Sequence, residues 1–279
     1  MSPPVALENA REIFAANRAV GRIALAVKAM AGATRRARVH EQGALRVRCP
    51  GRTAGELEAV IVNTAGGMAG GDRFSLDVEV GLGARLVVTT AAAEKIYRTL
   101  EPDTNVGVKL TVAAGGALAW LPQETILFDR ARLRRMIDVD LADDARLILA
   151  EAMIFGRAGM GERVEAGLLH DRWRVRRGGR LVYAEAVRLD GDVAQKLAQP
   201  AVANGGVAIA TVLVVPGDEE TVAAVRALGE QWRGEVGASA WNGLAVVRLV
   251  AADGAALRRD LVVVLSALRG TALPRLWLN

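Results

Sequence analysis

Four stretches of the chain share one form, an alternating apolar arm, a tight turn and a second apolar arm: SLDVEVGLGARLVVTT, GVKLTVAAGGALAWLPQE, MIDVDLADDARLILAE and RWRVRRGGRLVYAE. Alternation with period two marks half-buried strands, and the Gly and Asp residues between the arms supply turns. Ala84, Ala117, Ala145 and Gly179 precede the second arms at separations of 33, 28 and 34 residues. Unequal spacing excludes a strict solenoid. It predicts a mainly β fold of stacked or layered sheets built from two-arm strand units, β-helix-like or sandwich-like. Thr90, Gln123, Glu151 and Glu185 stand at the ends of the second arms. Such polar ends either emerge into solvent or lie near one another as a polar column through an apolar body. A column of this kind needs water, a cation or hydrogen-bonded partners, because an unpaired buried carboxylate is costly.

The strand pattern covers residues 20–215, preceded by an arm, residues 1–19, in which 5–18 has helical spacing. Beyond Pro216-Gly217 the period changes. DEETVAAVRALGEQWRG reads as a helix with an acidic first turn, GLAVVRLVA as a strand, and ADGAALRRDLVVVLSALRG as a second helix ending at Gly270. Residues 20–279 are therefore expected to form one domain, a β body followed by an αβα-like part at 216–279.

Composition narrows the function. Cys49 is the only cysteine and His40 and His170 the only histidines, so a multi-thiolate or paired-histidine metal site within one chain is not expected. No apolar run approaches a membrane span, and the N-terminus lacks a secretory pattern, which makes the cytoplasm the expected location. The net charge of +5 favours acidic partners, but the clusters Arg35–Arg38, Arg130–Arg135 and Arg172–Arg180 lack a nucleic-acid-binding pattern and read as solvated faces.

NTAGGMAGGD, residues 63–72, has the glycine separation of a phosphate loop, but Asp72-Arg73 replaces the lysine and hydroxyl, and a strand follows instead of a helix. The glycines then serve the backbone, and Asp72 is expected to accept hydrogen bonds from the loop's own amides. VTTAAAEKIYR offers Lys95, Tyr97 and Arg98. WLPQETILF places Gln123 and Glu124 after Trp120 and a ladder-breaking proline. AEAMIFGRAGMGE carries Glu151 and Arg157. Nucleophile elbows, HExxH and calcium-loop motifs are absent. A carboxylate-dependent hydrolase using Glu124 or Glu151 is the alternative reading, and a basic nucleic-acid-binding module is a third.

In this order, NTAGGMAGGD, TTAAAEKIYR, WLPQETILF, AEAMIFGR with Gly161-Glu162, and LPRLW at 273–277 resemble the urease accessory protein UreD (UreH) family. The resemblance implies a non-enzymatic, mostly β scaffold with a helical pair near its C-terminus. It would bind urease apoprotein, the accessory protein UreF and, through it, the GTPase UreG, with neither nucleic acid nor membrane as partner. Nothing would be tightly bound, and nickel would be in transit through the fold. On that reading Asp72, Glu151 and Glu185 carry a transient nickel route lined by Thr90 and Gln123. Lys95, Tyr97, Arg98, Trp120 and Arg157 serve interfaces or structural support. A scarcity of Cys and His suits transit, because oxygen ligands release nickel more readily than thiolate or imidazole.

Overall fold

The computed structural model describes residues 18–53, 55–229 and 232–278. The expected helical spacing over 5–18 falls almost wholly outside them. In chain order the strands are β1 (Val20–Met30), β2 (Ala33–Gly43), β3 (Leu45–Arg48), β4 (Arg52–Thr53), β5 (Glu56–Asn63), β6 (Arg73–Val80), β7 (Arg85–Thr90), β8 (Glu94–Ile96) and β9 (Thr104–Val112). They continue as β10 (Ala117–Trp120), β11 (Thr125–Leu127), β12 (Arg132–Leu141), β13 (Arg146–Phe155), β14 (Ala166–Arg177), β15 (Arg180–Asp192), β16 (Ala208–Val215), β17 (Glu235–Trp241) and β18 (Leu244–Ala251). The α-helices are α1 (Val193–Ala198), α2 (Glu219–Arg226) and α3 (Gly254–Arg269).

Two sheets face each other. The first has the order β15-β14-β12-β9-β6-β1-β2, and the second β17-β18-β16-β13-β10-β7-β5-β3, with β4, β8 and β11 attached to it. The first three two-arm units each place one arm in each sheet: β6 then β7, β9 then β10, β12 then β13. Successive units stack, so β6, β9, β12 and β14 run parallel in one sheet and β5, β7, β10 and β13 parallel in the other. The fourth unit behaves differently. Its two arms, β14 and β15, form an antiparallel hairpin within the first sheet, because Gly178 and Gly179 both adopt positive φ and turn the chain back tightly.

Period-two alternation sends one side of each strand inward. Ile23, Leu25, Val27, Leu110, Ile137, Val139, Leu147, Leu149 and Val175 meet between the sheets as the main core. The outer face of the second sheet is also apolar and is covered by α2 and α3, whose Val222, Val225, Leu257, Leu261, Val264 and Leu265 form a second core with Val212, Val247 and Trp277. Both helices are capped, α2 by an Asp218–Thr221 capping box and α3 by Asp253 at its start and left-handed Gly270 at its end.

The C-terminal part differs from the αβα expectation. β17 adds a strand, paired with β18 through a turn at Asn242-Gly243. In its sequence EVGASAW the small residues Val236, Ala238 and Ala240 alternate on the partly buried face against the second core, while the other face is exposed, so the apolar signal is weak. The helix expected over 218–234 is assigned only over Glu219–Arg226. Asp260, fully buried on α3, accepts the Arg233 amide at 2.9 and 3.0 Å and the Gly234 amide at 2.8 Å, drawing that segment down toward β17.

The glycine loop has the backbone role anticipated for it. Gly66, Gly67 and Gly71 have φ of 75°, 146° and 90°. A Cβ on Gly67 would lie 2.5 Å from the Tyr97 ring, whereas one on Gly66 would meet open space. Gly67→Ala should therefore lower the unfolding free energy by about 2–4 kcal/mol, combining strained φ with a clash, and Gly66→Ala by about 1 kcal/mol. Denaturant titration of both variants distinguishes them.

Candidate functional site: a carboxylate-lined cavity between the sheets

Between the sheets lies a cavity of about 70 Å³, room for a few waters. Thr90, Gln123, Glu151, Glu94, Trp120 and Arg135 contribute its polar lining, and Leu45, Phe74, Ile96, Val108 and Leu133 part of its apolar wall. Three of the four polar ends converge because their second arms are neighbouring strands of one sheet. The Gln123 amide donates to Thr90 Oγ1 at 2.9 Å, and its side-chain Nε2 to Thr89 Oγ1 at 3.4 Å. Pro122 ends the β10 ladder and turns Gln123 toward this contact.

Arg135 is the centre of an ion cluster with Glu151 and Asp171. Arg135 reaches from β12 across the gap to Glu151 on β13, while its Nε and Nη2 grip Asp171 on β14 at 2.9 and 2.7 Å. All three side chains are at least nine-tenths buried. The Trp120 indole donates to Glu151 Oε1 at 2.9 Å, and the Trp173 indole to Asp171 Oδ2 at 3.0 Å. Two carboxylates thus share one guanidinium. Burial raises the Glu151 proton affinity, opposed by Arg135 and reinforced by Asp171. For Arg135 burial disfavours the charge, but Asp171 and Glu151 outweigh it, so the guanidinium stays charged. Glu94 also has a raised pKa, from burial, offset by the Asn63 amide that donates to it at 2.9 Å.

The remaining residues have different surroundings. Glu185 stands on the β14–β15 hairpin and does not line the cavity. It pairs with Arg248 of β18 at 2.5 Å and accepts from the Tyr183 hydroxyl, bridging the two sheets at their edge. Burial, then Glu185, raises the Tyr183 pKa, so the phenol keeps its proton. A polar row connects the two clusters along the second sheet, since Glu151 pairs in register with Thr211 and Thr211 with Arg248. Asp72 is buried against the glycine loop, accepting from the Ala19 amide at 2.8 Å and the Ala69 amide at 2.7 Å. It braces the loop and is outside the cavity lining.

The Tyr97 hydroxyl donates to Gly66 O at 2.9 Å, and its ring meets Phe128 edge-on at 5.1 Å. Arg157 lies 3.9 Å over the other contact partner of that pair, the Phe128 ring, and pairs with Glu162 at 2.6 Å, tying Gly156-Arg157 to Gly161-Glu162. Lys95 and Arg98 are exposed. Glu124 is gripped by Arg258 of α3 at 2.8 Å; the same guanidinium donates to Gln123 Oε1 at 2.7 Å and Leu276 O at 3.0 Å, and Trp277 donates to Leu121 O at 3.0 Å. WLPQETILF and LPRLW are thus two halves of one contact.

Glu94, Arg135 and Asp171 were not singled out by sequence reasoning. Arg135 belongs to an arginine cluster read as a solvated face, and the structure corrects this: it is 7% exposed. The available signal was parity, since in RLRRMIDVDL Arg135 shares its side of the strand with Leu133, Ile137 and Val139. Among the described residues no group of three or more His, Cys, Asp and Glu converges on a metal position.

Arg135→Met should cost about 3–5 kcal/mol, because it strands two buried carboxylates. Glu94 has its proton affinity raised in the folded state, so its contribution is fully present below the ordinary glutamate value of 4.5 and is lost as pH rises through the raised value. Glu94→Gln, which can still accept from Asn63, should flatten the loss of stability above that pH in chemical unfolding.

The UreD urease accessory protein family model matches residues 19–278. Urease accessory protein UreD of Rhodopseudomonas palustris (strain BisA53) is 58% identical over 267 residues, covering 96% of this chain and 93% of that protein. The protein of the same name from Bradyrhizobium diazoefficiens is 55% identical, covering 96% of each. With a two-sheet fold whose motif residues meet in three dimensions and a match along nearly its whole described length, this chain belongs to the UreD family of urease accessory proteins.

Proposed function

We propose that the protein is the nickel-delivery scaffold of urease maturation, a non-enzymatic chaperone that binds urease apoprotein and UreF, contacts UreG through UreF, and passes nickel toward the urease active site. The observation carrying this reading is the cavity with its surplus of carboxylates. Among the described residues that line it, Glu94 and Glu151, with nearby Asp171, are opposed by Arg135 alone. A divalent cation entering the gap would relieve that imbalance, while Thr90, Gln123 and water would supply further weak oxygen donors. Hard, neutral or singly charged oxygen donors favour passage over storage. Glu185 and Arg248, joined to Glu151 through the Thr211 row, extend the route toward the sheet edge; Asp72 serves it by holding the glycine loop in place.

The hydrolase alternative asks for a carboxyl group free to act on a substrate, whereas Glu124 and Glu151 are each held by an arginine and a buried aromatic neighbourhood. No helix among the described residues is long and apolar enough to cross a membrane.

The test is co-expression of Glu151→Gln and Glu185→Gln variants with urease and its accessory partners, reading complex recovery, nickel per urease and urease activity. The complex should be recovered as before, with nickel content and activity both reduced several-fold. Undiminished nickel loading in the double variant would remove the route.

A further inference from the structure

A second cleft opens on the outer face of the eleven-stranded sheet, where α3 ends and leaves the strands β7, β10 and β13 uncovered. It has a volume of about 470 Å³. Arg85, Ala117 and Arg146 stand side by side in register on these three parallel strands. They share the parity of Val87, Ala119 and Ile148, which belong to the helix-covered side. Adjacent strands are about 4.8 Å apart, so the two arginine Cα atoms are about 10 Å apart with only a methyl group between them. That spacing lets two long side chains converge on one ligand above Ala117. Neither guanidinium forms an ion pair or side-chain hydrogen bond among the described residues, although both are exposed.

The third wall comes from the end of α3. Arg269 has a side chain only 2% exposed, donates to Glu56 Oε2 at 2.6 Å and to Thr271 Oγ1 at 3.1 Å, and retains an Nε with no acceptor. Thr271 accepts from Arg269, which leaves its own hydroxyl proton free to donate into the cleft. Glu56 is neutralised by Arg269, and Glu58, two residues along β5 on the same face, interacts with both. The two guanidinium groups of Arg85 and Arg146, unpaired among the described residues, leave the concave site with a net positive charge. Planar guanidinium groups at such a spacing suit oxyanions, which accept paired N–H donors.

We propose that this cleft is a binding site for a multivalent oxyanion, gripped by Arg85 and Arg146 across Ala117 with Thr271 as a neutral donor. It is separate from the inter-sheet cavity and does not depend on the nickel reading. A phosphate group and a polycarboxylate share this chemistry, and calorimetric titration of the full-length chain with inorganic phosphate, with citrate and with chloride at matched ionic strength distinguishes them. Saturable binding of phosphate or citrate, but not chloride, is expected. Arg85→Gln and Arg146→Gln should each weaken it about tenfold or more, the loss of a charge-assisted contact. Ala117→Leu, which fills the gap and leaves both charges, should weaken it as well, and Arg174→Gln, exposed on β14 of the opposite sheet, should not. Absence of saturable binding with both anions, or equal weakening by Arg174→Gln, would overturn the site.

Discussion

The structure depends on one guanidinium, that of Arg135, which joins the two sheets at the centre of a largely apolar interior. Leucine and valine contacts hold the layers together without fixing how they sit, since apolar packing is non-directional. A fork of charge-assisted hydrogen bonds to Asp171 on one side and Glu151 on the other is directional, and it sets the register of β12 and β14 against β13. Trp120 and Trp173 complete the acceptors' needs from the same two layers. The Glu185–Arg248 pair repeats the device at the sheet edge, with less burial and a smaller energetic role.

This arrangement costs stability compared with an apolar core, and the imbalance of charge is what makes it chemically useful. Two carboxylates on one buried arginine, with Glu94 close by in the same lining, leave the gap short of positive charge. Burial answers partly by raising proton affinity at Glu151 and Glu94. On the proposed nickel reading, a hydrated divalent cation in transit would answer the same need. The glycine loop is braced by Asp72 and Tyr97, Arg157 and Glu162 clasp Gly156-Arg157 to Gly161-Glu162, and Arg258 joins WLPQETILF to LPRLW, so several family motifs have a physical task.

Much of this was legible in the sequence. Period-two alternation marked the strands and the turn residues marked the two-arm units, so the layered β body was legible. Counting also singled out Thr90, Gln123 and Glu151 as ends of second arms, but left open whether they emerge into solvent or lie together. Glu185 escaped the same count because Gly178-Gly179 folds its unit into a hairpin within one sheet, and a local pattern does not reveal which sheet an arm joins. β17 was hidden because the inward side of EVGASAW carries only Val236 and two alanines, too weak an apolar signal to mark a strand. Arg135 was hidden by its neighbours: four arginines in RARLRR look alike by composition, and only strand parity, together with two carboxylates 16 and 36 residues away in sequence, separates the buried one from the exposed ones.

The central claim is that nickel occupies the inter-sheet cavity, and anomalous diffraction at the nickel edge from crystals of the protein in its accessory complex, loaded with nickel, tests it most directly. The account predicts an anomalous peak within the lining of Glu94, Thr90, Gln123 and Glu151, with oxygen ligands and incomplete occupancy. Nickel confined to the outer surface at saturating concentration, with the cavity holding water alone, would contradict it.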